Sequence, residues 1–224
     1  MYRKIEYVFK YSTNSKEKGL FDLYLSEECK IKVDKENAHF VFKRGIPLGQ
    51  EKELEQIKNW VVFDDQVLHE NDLKDISHFP EEKNRTFLIN QKLKRGSRHI
   101  IKLSTKYPLV MSDLIDKSRE NDYITFEFFN LTFVAYFSFL FPLKFDISKY
   151  EFQVRLRNLA HTLYQPIKPY FKIIKLDGKK YHRISFNLEN RDNGDTIIIK
   201  YWLKDELYNV LSKNKMKSIT IKDE

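Results

Sequence analysis

Residues 128–143 read FFNLTFVAYFSFLFPL, with no formal charge between Glu127 and Lys144. The run is too short for a membrane-spanning helix, which needs about 20 apolar residues. Asn130 lies inside it and Pro142 near its end. It reads as the central buried element of a soluble domain. Immediately upstream, Ile124, Phe126 and Phe128 alternate with Thr125 and Glu127, the period of a strand.

Working outward, the first third repeats that alternation. Ile5, Tyr7, Phe9 and Tyr11 interleave with Lys4, Glu6, Val8 and Lys10. Leu20–Leu25, Cys29–Val33 and Phe40–Phe42 follow in the same style, separated by turn-rich segments at 13–19 and 34–37. This predicts an N-terminal antiparallel β-meander. Residues 50–60 carry Leu54, Ile57 and Trp60 at helical spacing and predict a short helix. Residues 64–84 are acidic and irregular, as a connector or long surface loop would be. Strands are expected at 86–90 and 99–103, and a helix at 111–120.

Downstream of the aromatic run, Ser148 precedes Glu151 by three residues, the spacing of a helix capping box. Phe152, Leu156, Leu159, Ala160 and Leu163 then line one helical face up to Pro166. A strand over 170–176 meets the turn signal Asp177-Gly178, and the return strand runs to about Leu188. Asn193-Gly194 repeats the signal before TIIIKYW, and Leu203, Leu207, Val210 and Leu211 predict a last helix. The expected fold class is therefore α+β. A β-rich N-terminal region with its acidic connector (1–83) precedes an α+β region (84–224) built as helix, three-strand meander, helix.

Composition narrows function by exclusion. The chain has 224 residues, six glycines and one cysteine, Cys29. Disulfide scaffolds and multi-cysteine zinc sites are excluded, and glycine-rich phosphate loops nearly so. No Walker loop, dinucleotide fingerprint or Gly-x-Ser-x-Gly element is present, so no cofactor is expected. Cys29 stands beside Glu27 and Glu28, which oppose a reactive thiolate. The N-terminus lacks an apolar signal region, and the lone cysteine suits a reducing cytoplasm. No membrane association is expected. The lysine- and asparagine-rich composition suits an AT-rich genome, such as that of a mobile element or virus.

Lys and Arg total 40 against 32 Asp and Glu, a net charge of +8. The charge is segregated. Residues 51–90 carry 5 basic and 10 acidic side chains, residues 91–110 carry 6 basic and none acidic, and residues 141–190 carry 10 basic and 4 acidic. Separated basic blocks offer a place for a phosphate backbone. A two-residue turn at Asp177-Gly178 would oppose Lys175 to Lys180 and Lys172 to Arg183. Like charges directly across a hairpin destabilise it unless an anion compensates them. Lys172, Lys175, Lys179, Lys180 and Arg183 are thus the first nucleic-acid-binding candidates. A helix followed by a basic hairpin is also how a winged-helix module meets DNA, with Arg155, Arg157 and Asn158 on the helix. Lys92, Lys94, Arg95 and Arg98, around Gly96-Ser97 with His99, form a second candidate patch. The chain's 18 Phe, 13 Tyr and 2 Trp supply a core and also stacking surfaces, with Tyr170, Tyr181, Tyr201 and Trp202 in the basic meander.

Two alternatives compete with simple binding. Arg155, five intervening residues and His161 resemble the arginine–histidine element of HEPN-type ribonucleases, which implies acid–base cleavage of RNA. The chain departs from that family, whose catalytic domain is wholly helical. Within one helix Arg155 and His161 would stand about 120° apart, and Arg157 and His161 would share a face instead. A nuclease would alternatively draw metal ligands from His69, Glu70, Asp72, Asp75 and His78. No pair among them has the HExxH spacing, and no metal site is assigned, with His69, Asp72 and His78 as the nearest candidates. The second alternative is a protein–protein adaptor or inhibitor that uses the acidic 64–82 segment. The sequence fixes no oligomeric state.

Overall fold

Side-chain alternation within residues 151–156 decides the architecture. Phe152 and Val154 are buried and Leu156 half-buried, while Glu151 before them and Arg155 between Val154 and Leu156 face solvent. That is a period of two, so the segment is a strand. The helical reading used Phe152 and Leu156, whose spacing of four fits either structure. Val154 separates the two: a helix would turn it roughly 160° away from both neighbours. The expected capping box falls where the strand's pairing register is broken, between Asp146 and Glu151.

The computed structural model describes residues 1–11, 21–45, 58–69, 72–76, 84–110, 122–128, 131–143, 145–156, 163–192 and 194–203. These form β1 (Tyr2–Tyr11), β2 (Phe21–Lys32), β3 (Val41–Gly45), β4 (Lys58–Phe63), β5 (Gln66–Leu68), β6 (Leu73–Asp75), β7 (Asn84–Ile89) and β8 (Arg98–Val110). They continue as β9 (Asp122–Glu127), β10 (Thr132–Pro142), β11 (Phe145–Leu156), β12 (Leu163–Pro166), β13 (Tyr170–Leu176), β14 (Lys179–Arg191) and β15 (Thr196–Leu203). Among the described residues there is no helix, which corrects the α+β expectation to a nearly all-β fold. The helix expected over 148–163 is replaced by β11 and β12. Residues 58–60 of the helix expected over 50–60 lie in β4. The remainder of that helix, the one at 111–120 and the last one beyond Leu203 fall outside the described residues.

The strands build three sheets. The largest has the order β13-β14-β10-β1-β2-β8-β4-β5, a second β12-β11-β15-β9, and a third β3-β7-β6. All described pairings are antiparallel except β1 with β10. The N-terminal strands therefore do not form a closed meander: β1 and β2 pair in the large sheet, and β3 leaves to pair with β7. Likewise β14 and β15 do not form a hairpin. The Gly194 turn carries the chain from the large sheet, where β14 lies between β13 and β10, to the second sheet, where β15 pairs with β11 and β9. The large sheet takes strands from both sides of residue 83.

Both smaller sheets cover one face of the large one. Ile5, Tyr7, Phe9, Phe137, Phe139, Phe141 and Phe186 pack there against Phe126, Phe152, Val154, Ile197 and Ile199 of the second sheet. Farther across, Cys29, Val61, Phe63, Ile101 and Leu103 pack against Phe40, Phe42, Ile89 and Leu93. The aromatic run is the centre of the first cluster, as its sequence requires. Phe139 stacks on Tyr7 with ring centroids 4.7 Å apart, and Phe141 stacks on Phe9 at 4.6 Å. Near the seam between the two clusters lies a buried ion pair, Arg3 Nη1 to Glu27 Oε1 at 2.7 Å. The Cys29 thiol donates to the same oxygen at 3.2 Å. The Arg3 guanidinium also lies 5.9 Å from the Phe126 ring centre. A buried charge persists only when paired in this way.

Candidate nucleic-acid interface

The β13–β14 hairpin has the register that its turn chemistry dictates. Asp177 and Gly178 both take positive φ, 50° and 76°, which closes a two-residue loop matched to strand twist. Lys175 then faces Lys180 and Lys172 faces Arg183. The structure divides these cations between the two faces of the sheet. Lys172 and Arg183 share the outward face with Leu140 of β10, and Arg183 Nε donates to Ser138 Oγ at 3.1 Å. Lys175 and Lys180 are on the opposite side. Lys172, Lys175, Lys179 and Lys180 are all exposed, and Arg183 is half-buried. The hairpin tip is tied to β1 by Lys10 Nζ and the Asp177 carboxylate, 3.1 Å apart.

The second basic patch lies toward the opposite end of the same sheet, beside the start of β8. Leu93 is buried and bridges to Ala38, which anchors the turn. Gly96, at φ 81°, donates its N–H to Val33 O at 2.8 Å. Lys92, Lys94, Arg95 and Arg98 are left exposed around it. The structure therefore does not merge the two sequence patches: β10, β1 and β2 lie between the hairpin and β8 in the sheet.

Between them runs a surface that the sequence reading did not assemble. The outward face of the large sheet carries Tyr2, Lys4, Glu6 and Lys10 on β1, opposite Lys30, Glu28, Ser26 and Asp22 on β2. Lys102 and Lys106 extend it on β8, and Tyr136 on β10. Tyr24 and Tyr136 are 37% and 39% exposed although both lie on interior strands. Lys10 and Lys106 place their ammonium groups 5.4 and 5.6 Å from the Tyr24 ring centre. Lys30 sits 5.6 Å over Tyr2, whose ring is 5.4 Å from that of Tyr136. Lys106 also pairs with Asp22 at 2.9 Å, and that hydrogen bond raises its pKa. The signal was present in the period of two: Tyr2, Lys4 and Lys10 are the residues that alternate against the Ile5–Tyr7–Phe9 core stripe. Which strand would stand beside β1 was not readable. Of the aromatics singled out from sequence, Tyr170 is exposed, Tyr181 and Tyr201 are buried, and Trp202 is half-buried.

The other candidates fare differently. Arg155 is on strand β11, opposite Tyr164 and Thr196, with Nη2 3.4 Å from Thr196 Oγ1. No helix places it beside a histidine, and Arg157 and His161 lie outside the described residues. Among the described residues, strands β11 and β12 stand where the helix that was to accompany the hairpin, winged-helix fashion, was expected. The His69 N–H donates to the Asp72 carboxylate at 2.8 Å, and Asp72 N–H returns to His69 O at 2.9 Å, a self-contained turn. Glu70 and His78 lie outside the described residues. Among those described, no group of three or more His, Cys, Asp or Glu side chains is placed to hold a metal. Nor is any described helix long and apolar enough to cross a membrane.

No protein-family model and no curated protein matches the chain. Among solved structures it is similar to a chain from Legionella pneumophila described as a "putative nutrient binding protein". The identity is 9%, the TM-score 0.47, and the match covers 90% of this chain and 66% of that one. At that level the likeness carries no argument about function.

Proposed function

We propose that this protein binds single-stranded nucleic acid, in the cytoplasm, across the outward face of its large sheet. The observation that carries the reading is the set of partly exposed tyrosines, Tyr2, Tyr24 and Tyr136, interleaved with Lys4, Lys10, Lys30 and Lys106. Bases stack on such rings whatever their identity, and lysine ammonium groups follow the phosphates. A duplex keeps its bases stacked on one another and offers nothing to these rings. Lys172, Lys179 and Arg183 extend the face at one end, and Lys92, Lys94, Arg95 and Arg98 extend it at the other. The buried single thiol of Cys29 suits a reducing compartment. No catalysis, metal or cofactor is part of this reading.

Fluorescence anisotropy of labelled oligo-dT and oligo-U, titrated between about 50 and 200 mM salt, tests it. Affinity is expected to fall steeply with salt. Tyr24→Ala is expected to cost about 1–3 kcal/mol of binding, roughly five- to 150-fold. Intact oligonucleotide on a denaturing gel separates binding from cleavage. Absence of binding at the lower salt, or a Tyr24→Ala protein that binds as well as the parent, would overturn the proposal.

A further inference from the structure

At the start of β8 the structure brings together three side chains that neither the fold nor the nucleic-acid reading requires. Ser97 and His99, two residues apart in an extended segment, project to one side. Asp64 reaches them from the β4–β5 turn, because β4 pairs with β8 through Phe63 and Ile101. Ser97 Oγ lies 2.8 Å from His99 Nε2, and His99 Nδ1 lies 2.6 Å from Asp64 Oδ2. The second carboxylate oxygen accepts the Ile100 N–H at 2.8 Å, and the Asp64 N–H donates to Ile100 O at 2.9 Å. The imidazole also packs against Phe63, ring centroids 4.9 Å apart. Every member of the row is thus held by at least one further contact.

We propose that Ser97, His99 and Asp64 form a nucleophilic relay for acyl transfer from a carboxylic ester carrying an anionic group. An ionised carboxylate only accepts hydrogen bonds, so in the neutral imidazole His99 Nδ1 carries the proton and Nε2 accepts one. Burial works to raise the Asp64 pKa, but the hydrogen bonds from His99 and Ile100 outweigh it, so the carboxylate stays ionised at neutral pH. The Ser97 hydroxyl has two acceptors in reach, Nε2 and the carbonyl of Lys94. Turned to Nε2, it presents a lone pair outward, which is the geometry of an activated serine.

Asp64 and Asp65 take φ of 45° and 68° in a two-residue hairpin loop. Aspartate suits the first position, as at Asp177, whereas glycine is favoured at the second, so the backbone strain sits at Asp65. Asp64 both closes this turn and supplies the carboxylate to His99.

In the reaction, Ser97 Oγ bonds to the ester carbonyl carbon while its proton passes to Nε2. The tetrahedral intermediate expels the alcohol oxygen, which takes that proton as the C–O bond breaks. Water then attacks the acyl-serine, again losing a proton to Nε2, and Ser97 departs protonated as the carboxylic acid leaves. The exposed Lys94 and Arg95 of the same turn favour an anionic substrate.

A fluorophosphonate probe on the intact protein, followed by peptide mass spectrometry, tests the assignment. The expected adduct is on Ser97. It disappears in Ser97→Ala and falls by about 10²–10⁴-fold in rate in His99→Asn, the range contributed by a positioned base. Hydrolysis of p-nitrophenyl succinate should fall in parallel. Circular dichroism melts establish that both variants fold. A folded parent with no Ser97 adduct, or equal labelling of His99→Asn, overturns the relay. Oligo-dT anisotropy on the same samples keeps the two proposals apart, because Ser97→Ala should bind as the parent does. Binding without an adduct sinks only the relay; an adduct without binding sinks only the interface.

Discussion

The two faces of β10 carry different chemistry on one strand. Toward the smaller sheets it presents Phe137, Phe139 and Phe141, all buried and stacked at 6.3 and 6.4 Å along the strand. Toward the outside it presents Tyr136, Ser138 and Leu140. Tyr136 is partly open, while Ser138 and Leu140 are closed over. Leu140 joins Val8 and Tyr181 in a small cluster with Ile174 and Leu176 of the hairpin. The outward face is therefore not uniformly solvent: it is apolar and closed at the hairpin end, aromatic and basic in the middle. Burial on one side stabilises the fold, and exposure of rings on the other leaves surface for a ligand.

The largest test of that contrast replaces one ring on each face. Phe139 contacts Tyr7, Phe137, Phe141, Phe152 and Phe186, and Phe139→Ala is expected to cost about 3–5 kcal/mol. Tyr136→Ala, on the same strand, should cost no more than about 1 kcal/mol. Urea denaturation measures both. Equal losses would mean that the outward face is as much core as the inward one.

Ion pairs make the same comparison. Arg3 and Glu27 are 5% and 2% exposed at the side chain, whereas Lys30 and Glu28, on the outward face, are 56% and 34% exposed at 3.6 Å. Arg3→Met leaves the buried Glu27 carboxylate without its counter-charge and should cost about 3–5 kcal/mol. The double variant Arg3→Met/Glu27→Leu should recover most of that loss, because it removes both desolvated charges. Lys30→Met should change stability by less than about 1 kcal/mol. A double variant as unstable as the single one would show that the pair is favourable in itself, not merely costly to break.

These results follow from what a sequence does and does not encode. Asp177-Gly178 set the hairpin register because a two-residue loop with two positive φ values allows only one pairing. The aromatic run was readable as core because nothing charged interrupts it. The segment over 148–163 was not readable, since Phe152 and Leu156 satisfy both periods and local capping signals favoured the wrong one. Partnership between sheets was not readable either. Asn193-Gly194 looked like a hairpin turn, yet β14 and β15 belong to different sheets. The Tyr2–Tyr24–Tyr136 surface and the Asp64–His99 contact depend on pairings across the chain, so no local pattern announces them. Lys172 and Lys180 appeared equivalent in sequence, but strand alternation places them on opposite faces.

That last division gives the smallest and most discriminating effect. Each lysine faces a like charge, Lys180 opposite Lys175 and Lys172 opposite Arg183. Such pairs cost a few tenths to about 1 kcal/mol, so Lys180→Thr and Lys172→Thr should each stabilise the fold slightly. The expected rise in melting temperature is about 1–4 °C, shrinking as salt screens the repulsion. Threonine suits a strand, so neither change carries a backbone penalty. Their effects on ligand binding should differ. Lys172 shares the outward face with Arg183, and its loss should weaken oligo-dT binding and lower the salt dependence by about one phosphate contact. Lys180 is on the other side of the sheet, and Lys180→Thr should leave both unchanged. Equal weakening by the two variants would move the phosphate path to the hairpin tip, where both side chains reach one strand of nucleic acid, and away from the tyrosine face.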